Sequence, residues 1–155
     1  MRILIDKSRR LLTLTDDDGT ERLVCPAGLG RAEGAKRRSG DLRTPEGEYY
    51  ICLKKENGKY GPSLGLSYPS AADALTGIRE GIICAELLPL FEQAEAARTR
   101  PPWGTALGGE IYIHAGGSAE NWTAGCIALE PEDMDVLFVY CDVGTPVFIA
   151  SHSQT

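Results

Sequence analysis

Short apolar segments separated by turn residues occupy both ends of this chain, and they restrict it to a mainly β fold. Residues 3–5 and 11–14 have the length and composition of strands, as do residues 110–114 and 147–150 towards the other end. Between these segments, residues 70–98 carry apolar side chains at helical spacing. With 155 residues and no internal repeat, the chain is predicted to form one mainly β (α+β) domain with a helical insertion.

Turn and capping signals divide these segments further. The acidic run Asp16–Gly19 predicts a hairpin turn, and Asn57-Gly58 is typical of a type I′ hairpin turn. Ser70–Asp73 has the spacing of a capping box, which predicts that a helix begins there. Pro89 lies inside the helical stretch and is expected to kink or split it. The sequence Glu130–Asp133 predicts the start of another short helix.

Charge and hydropathy exclude several classes of partner. The formal net charge is −6 and the isoelectric point is near 4.9, so nucleic acid is not an expected partner. The one dense basic cluster, Lys36–Arg38, is interpreted as a solvated loop. No apolar stretch is long enough to span a membrane. Residues 1–7 show no signal peptide, so we expect a cytoplasmic protein, or a cell-wall or periplasmic one whose export segment was removed.

The cysteines indicate neither a disulfide framework nor a metal site. There are five of them, an odd number, and no pair has the CxxC spacing of a zinc site. We therefore predict no metal and no cofactor. Four cysteines are expected to be buried as small hydrophobic residues, and these are Cys25, Cys52, Cys84 and Cys141.

The fifth cysteine, Cys126, stands in a different context. Gly125 precedes it at the end of a loop, and His114 ends a strand-like segment twelve residues earlier. A thiol reacts as its thiolate, and an imidazole is the usual group that generates one. The other histidine, His152, lies in the polar tail 151–155 and is expected to be solvated. The pair His114 and Cys126 therefore predicts a cysteine acyl-transfer enzyme.

The residues around this pair resemble the catalytic domain of bacterial L,D-transpeptidases, the YkuD-like family. That family has a histidine, a small loop, and then Ser/Thr-x-Gly-Cys-Ile-x-Leu/Met, and here His114 is followed by the segment 123–129, Thr-Ala-Gly-Cys-Ile-Ala-Leu. The segment 44–47, Thr-Pro-Glu-Gly, matches the family's Thr-Pro-x-Gly. Residues 5–8 and 144–147 resemble its first and last strands. The resemblance implies a single catalytic domain over residues 1–155, with a β-sandwich or barrel, a helical insertion around 70–98 and a short helix after the cysteine.

The resemblance also implies a mechanism. Cys126 is the nucleophile, His114 the general base and acid, the Gly125 and Cys126 amides the oxyanion donors, and the Ala115 carbonyl the group that orients the imidazole. A thioester forms at the third residue of a peptidoglycan tetrapeptide stem and D-alanine leaves; an amine then gives a 3-3 crosslink. Carbapenems are expected to acylate Cys126. The predicted substrate-binding residues are Trp122, Thr123, Tyr112, Trp103 and Gly116. The three aromatic residues among them are equally compatible with a role in the core.

Two positions depart from the common pattern of the family. Many members have a histidine where Ala124 stands and an arginine where Ala128 stands, so other residues must make the polar contacts to the peptide. Peptidoglycan stem peptides are the expected partner and a monomer the expected state. A transpeptidase is the first interpretation, an L,D-carboxypeptidase that uses water is the second, and an inactive peptidoglycan-binding module or an unrelated cysteine hydrolase follows.

Overall fold

One nearly closed β-sheet and three helices make up the computed structural model, which describes residues 1–152. The end of the predicted polar tail therefore lies outside the described residues. The strands are β1 (Arg2–Asp6), β2 (Leu11–Thr15), β3 (Glu21–Pro26), β4 (Gly47–Gly58), β5 (Gly61–Leu66), β6 (Tyr112–Ala115), β7 (Ile127–Leu129) and β8 (Pro146–Ala150). The helices are α1 (Ala71–Arg79), α2 (Leu88–Ala97) and α3 (Pro131–Tyr140), with a 3-10 turn at Ala85–Leu87.

The order of the strands brings the two ends of the sheet together. They are arranged as β3-β2-β1-β8-β4-β5-β6-β7, with β1–β8 and β6–β7 parallel and the other pairs antiparallel. Gly28, just beyond β3, exchanges two backbone hydrogen bonds of 2.8 Å with Ala128 of β7. This pairing joins the edge strands, so the predicted mainly β fold, with its helical insertion and a helix after the cysteine, is confirmed.

The core lies inside this sheet and follows from the period-two pattern of its strands. Ile3 and Ile5 of β1 and Leu12 of β2 are fully buried, while Leu4 between the two isoleucines is exposed. Met134 and Leu137 pack the apolar face of α3 against the same cluster. A smaller cluster, formed by Ala74, Phe91 and Leu107, lies under the helical insertion. None of the helices in residues 1–152 is long and apolar enough to cross a membrane.

The helical insertion begins as predicted but divides at a different place. Ser70 and Asp73 form the predicted capping box at the start of α1. The stretch 82–98 was predicted to be helical, with a kink or a split at Pro89, but α2 begins only at Leu88 after the 3-10 turn. Pro89 lies in the first turn of α2, where its missing N–H group costs no hydrogen bond. The proline therefore starts the helix and does not kink it.

The turn between β4 and β5 also differs from the prediction. Gly58 pairs with Gly61, so Lys59 and Tyr60 are the two turn residues, and the turn predicted at Asn57-Gly58 is wrong by two positions. A Cβ atom on Gly58 would lie 2.6 Å from the Ser63 hydroxyl oxygen, so this glycine permits a close approach within the strand pair. As a result Lys59 and Tyr60 lie at the tip of the hairpin.

Two of the four cysteines expected in the core are not fully buried. Cys25 and Cys141 are buried as predicted, and burial raises the pKa of Cys25 to about 12 and that of Cys141 to about 11. Cys52 is half-buried, and Cys84 is exposed because it lies in the connection between α1 and the 3-10 turn. The prediction of a buried Cys84 is therefore wrong.

Candidate active site

Two adjacent parallel strands bring Cys126 and His114 to one side of the sheet. His114 in β6 pairs with Ala128 in β7, which places Cys126 level with Tyr112. Tyr112 and His114 are two residues apart, so their side chains lie on the same face of β6. Both side chains line one cavity together with Cys126. The fold thus joins the two residues that the sequence singled out.

The imidazole of His114 has a defined orientation. Its Nδ1 is hydrogen-bonded to the backbone oxygen of Ala115. A carbonyl oxygen can only accept, so Nδ1 carries the proton and Nε2 keeps a free lone pair. Burial lowers the pKa of His114, the bond to Ala115 opposes this, and the charge of Lys59 lowers it further. A neutral imidazole able to accept a proton is therefore favoured.

The sulfur of Cys126 lies between one donor and one acceptor of the backbone. The N–H of Tyr112 donates to Sγ at 3.4 Å, and the thiol donates to the carbonyl of Glu110 at 3.6 Å. Burial raises the pKa of Cys126; the Tyr112 amide and the Lys36 cation lower it, and the Glu110 carboxylate raises it. Since burial has the largest effect, the resting group is the neutral thiol, and a base is needed to make it nucleophilic.

Aromatic rings surround the imidazole. Tyr60 stacks on His114 with ring centres 4.6 Å apart, and Trp122 approaches edge-on at 5.9 Å. The Trp122 indole N–H donates to the Gly117 carbonyl. A Cβ atom on Gly116 would lie 2.8 Å from the Trp122 ring, so glycine is required for the tryptophan to occupy this position. No local sequence signal indicates Tyr60, because its position depends on the hairpin turn, which was predicted two residues too early.

The sulfur borders two small cavities. One has a volume of about 200 Å³ and is lined by Lys55, Gly58, Lys59, Tyr60, Ser63, Tyr112, His114 and Cys126. The other, of about 230 Å³, is lined by Lys36, Ser39, Gly40, Gly108, Gly109, Glu110, Ile111, Ala124 and Cys126. A larger cavity of about 880 Å³ lies between α2 and strands β4 and β8, but its lining includes neither Cys126 nor His114. The chemistry of the site therefore belongs to the two small cavities.

Trp103 and Thr123 were both predicted to contact substrate, and in the structure their side chains contact other residues of the protein. Trp103 packs edge-on against Tyr112 at 5.7 Å and lies close to Gly109, and it lines neither of the small cavities. Thr123 is buried; its hydroxyl donates to the Cys126 carbonyl at 2.7 Å and accepts from the Gly125 N–H at 3.1 Å. Thr123 thus stabilises the turn that carries the cysteine.

The hydrogen bond from the Gly125 N–H to Thr123 affects one of the two predicted oxyanion donors. The Gly125 N–H already donates to Thr123, so it can reach a substrate oxygen only if it exchanges or shares that bond. Within residues 1–152 the Cys126 N–H has no protein acceptor. The amide of Cys126 is therefore the readier of the two donors, and the role predicted for Gly125 stays a prediction.

Thr44, in the segment that matches the family's Thr-Pro-x-Gly, positions the cysteine turn from behind. Its side chain is buried, accepts from the Gly30 N–H at 2.9 Å and donates to the Gly125 carbonyl at 2.9 Å. The Lys7 ammonium binds the Thr44 carbonyl at 2.7 Å and Glu46 at 3.0 Å. The first third of the chain therefore fixes the backbone next to Cys126.

Replacing Thr44 with valine should destabilise the protein and disturb the cysteine turn. The change keeps the shape of the side chain and leaves the Gly30 N–H and the Gly125 carbonyl without partners, at a cost of about 1–3 kcal/mol in the free energy of unfolding. Urea unfolding measures this cost. Thr44→Ser, which keeps the hydroxyl, is the control and should lose clearly less; equal losses for both variants would contradict the proposed hydrogen-bonding role.

Replacing Gly125 with alanine should destabilise the protein more than the same substitution at a glycine with open space around it. Gly125 has φ of +139°, and an added Cβ atom would lie 2.7 Å from the Arg43 carbonyl oxygen. The backbone strain alone costs about 1–3 kcal/mol, and the contact with fixed backbone adds to it. Gly19→Ala is the matched control, because Gly19 has φ of +88° with open space around it. Thermal unfolding should show the larger loss at Gly125; an equal loss would mean that the close approach is unimportant.

The basic cluster interpreted as a solvated loop is in part buried. Lys36 is only 5% exposed and forms an ion pair with Asp41 at 2.9 Å. That prediction is wrong for Lys36, although Arg37 and Arg38 are exposed as expected. Sequence reasoning missed it because Asp41, five residues further on, neutralises the lysine only after the loop has folded back on itself.

The two alanines at the departures from the family pattern occupy different surroundings. Ala128 is fully buried in β7, between β6 and Gly28, so its side chain has no access to either cavity. Ala124 is exposed and lines the cavity that contains Lys36. Only the position of Ala124 is therefore open to a substrate.

Comparison with known proteins identifies the family and supports the fold. The family model for the L,D-transpeptidase catalytic domain (YkuD) matches residues 1–149. The fold is similar to that of the helical cell shape determining protein Pgp2 from Campylobacter jejuni, with a TM-score of 0.69 and 21% identity over 98% of this chain and 48% of that one. An L,D-transpeptidase from Mycobacterium tuberculosis gives a TM-score of 0.57 and 18% identity over 96% of this chain and 56% of that one. No curated protein matches the chain.

The fold is a nearly closed, mainly β sheet in which a buried histidine of β6 and the cysteine that directly precedes β7 line one cavity. The match over residues 1–149 makes the assignment specific: the chain belongs to the L,D-transpeptidase catalytic domain family. It spans about half the length of the structures that it resembles.

Proposed function

We propose that this protein is a cysteine acyltransferase that acts on peptidoglycan tetrapeptide stems as an L,D-transpeptidase. The observation that supports this most is the placement of the Cys126 thiol and the His114 imidazole in one cavity, with Nδ1 of the imidazole bound to the Ala115 carbonyl. That bond leaves Nε2 as the proton acceptor, which is the arrangement that a thiol nucleophile with a raised pKa requires.

In the proposed mechanism, Nε2 of His114 takes the proton of Cys126. The thiolate then attacks the carbonyl carbon of the third stem residue, and the Cys126 N–H stabilises the oxyanion, joined by that of Gly125 if it leaves Thr123. The imidazolium returns the proton to the departing nitrogen, so that D-alanine leaves and a thioester remains on Cys126. An amine of a second stem, deprotonated by His114, attacks the thioester, releases the thiol and forms the 3-3 crosslink.

The alternative functions differ in which steps of this mechanism take place. If water resolves the thioester, the protein is an L,D-carboxypeptidase of the same fold. If no thioester forms, it is a peptidoglycan-binding module. The tyrosine and tryptophan packed on His114 favour the enzyme interpretation, because they shield the imidazole from water and fix its ring plane.

One assay separates these outcomes. The protein is incubated with a disaccharide-tetrapeptide, with and without an acceptor amine, and the products are followed by mass spectrometry. A crosslinked product supports transpeptidation, and a tripeptide alone supports carboxypeptidation. If neither product appears and the intact mass shows no acyl group on the protein, the proposed enzyme function is wrong.

A further inference from the structure

Lys36 places a buried positive charge in the cavity next to the nucleophile. Its ammonium donates to Asp41 Oδ1 at 2.9 Å and to the Arg38 carbonyl at 3.1 Å. An ammonium group has three protons, and these contacts use two of them. No acceptor for the third proton is found among residues 1–152. Lys36 lines the same cavity as Ala124 and Cys126, and it also borders a second cavity that contains Glu46 and Asp73.

Both carboxylate oxygens of Asp41, the partner of Lys36, also accept hydrogen bonds from the backbone of the loop. The Oδ1 atom of Asp41 also accepts from the Arg43 N–H at 3.2 Å, and Oδ2 accepts from the N–H groups of Arg37 and Arg38 at 2.8 and 3.1 Å. These bonds disperse the negative charge of Asp41 over the loop. They also fix Lys36 before any substrate arrives, so that no side-chain ordering has to accompany binding.

The rest of this cavity is formed mainly by backbone. Gly108 has φ of +87°, and a Cβ atom there would lie 3.1 Å from the Ser39 Cα and 3.3 Å from the Lys36 side chain. The other charged residue in the lining is Glu110, which is exposed, so solvent weakens its repulsion of an anion that binds beside Lys36. A single small anionic group beside Lys36 is therefore the ligand that fits this cavity.

We propose that Lys36 binds the terminal carboxylate of the residue that leaves the substrate, and thereby selects stem peptides with a free C-terminus. This inference rests on the proposed function. The terminal carboxylate lies one residue beyond the attacked carbonyl, within about 3.5 Å of extended chain, so it must enter a cavity that borders the Cys126 sulfur. In the other cavity the cations of Lys55 and Lys59 are exposed to solvent, which weakens their attraction for an anion. Lys36 thus supplies, from a neighbouring loop, the polar contact that is missing at Ala124.

The test compares two substrates that differ only at the C-terminus. A disaccharide-tetrapeptide with a free carboxylate and the same compound with a C-terminal carboxamide are given to the wild-type protein and to Lys36→Met, and kcat/KM for thioester formation is measured. The wild type should prefer the acid by about 10- to 100-fold, as expected for one charge-assisted hydrogen bond. Lys36→Met should bring the ratio of the two kcat/KM values, acid to amide, close to one. Loss of the cation also raises the pKa of the Cys126 thiol and so lowers both rates alike, which leaves their ratio as the readout.

Controls separate recognition from folding. Arg38→Met removes the same charge from the exposed part of the same loop and should keep the full preference for the acid. If Lys36→Met does not fold because Asp41 loses its cation, the double variant Lys36→Met with Asp41→Asn is measured in its place, because it removes both charges together. Equal wild-type rates for acid and amide, or an equal loss with both substrates in the variant, would overturn the inference. Absence of turnover with either substrate and of any acyl-protein would instead count against the proposed function.

Discussion

Replacing Cys126 with alanine is expected to lower the rate of thioester formation by about 10⁴-fold or more, because no other thiol among residues 1–152 lines the two cavities. The side chain makes two weak hydrogen bonds, to the Tyr112 N–H and the Glu110 carbonyl, and it is not part of the central core. The variant should therefore fold normally. Intact-mass measurement after incubation with stem peptide, or with a carbapenem, reports the acyl group directly.

The matched control for this experiment is Cys84→Ala. Cys84 is also a free cysteine and is exposed, so it tests whether any accessible thiol becomes acylated. We expect unchanged rates and an unchanged mass increase for this variant. Full activity in Cys126→Ala, or an acyl group still present on it, would eliminate Cys126 as the nucleophile.

Replacing His114 with glutamine is expected to reduce acylation by about 10²- to 10⁴-fold, which is the usual contribution of a positioned general base. The pKa of the Cys126 thiol is raised, so without a base only a very small fraction is thiolate at neutral pH. The loss should diminish as the pH rises and hydroxide replaces the imidazole. His152→Gln is the control, because His152 is exposed at the end of the described chain, and its rate should equal that of the wild type.

The pH profile of the wild-type protein provides a second measurement of the same residue. Protonation of His114 stops it from accepting the thiol proton, so the acylation rate should fall on the acid side. Burial lowers the pKa of His114 from its ordinary value of 6.5, and the neutral base therefore persists to lower pH. The midpoint of the acid limb should lie below 6.5. A midpoint above 6.5, or an acid limb that persists in His114→Gln, would assign the titration to another group.

The sequence singles out Cys126 and His114 as the candidate nucleophile and base through local features, and the structure places both in one cavity. A cysteine beside Gly125 and a histidine at the end of a strand can be read from adjacent residues. The strands themselves follow from period-two burial, as in Ile3 and Ile5, and the start of α1 follows from its capping box. Each of these signals lies within a few residues of the feature that it determines.

Features that depend on contacts between distant segments were not predictable in this way. Thr44 reaches Gly125 across the fold, and its role as a hydrogen-bond bridge has no local signature. Lys36 resembles any basic loop residue until Asp41 and the Cys126 cavity surround it. Tyr60 was missed because the hairpin turns after Gly58 and not at Asn57-Gly58. The aromatic and charged surroundings of the nucleophile therefore emerge only from the tertiary structure.

The pairing of Gly28 with Ala128 has a kinetic consequence. It joins segments about 100 residues apart in the chain, and β1 and β8 pair over an even longer separation. Contacts between such distant residues carry a large loop-closure entropy, and domains rich in them fold slowly. Since β7 begins directly after Cys126, the thiol acquires its final surroundings only when this long-range pairing forms. The rate at which a refolding sample regains the ability to be acylated should therefore follow the slowest folding phase, and not the earlier formation of the β1–β2 and β4–β5 hairpins.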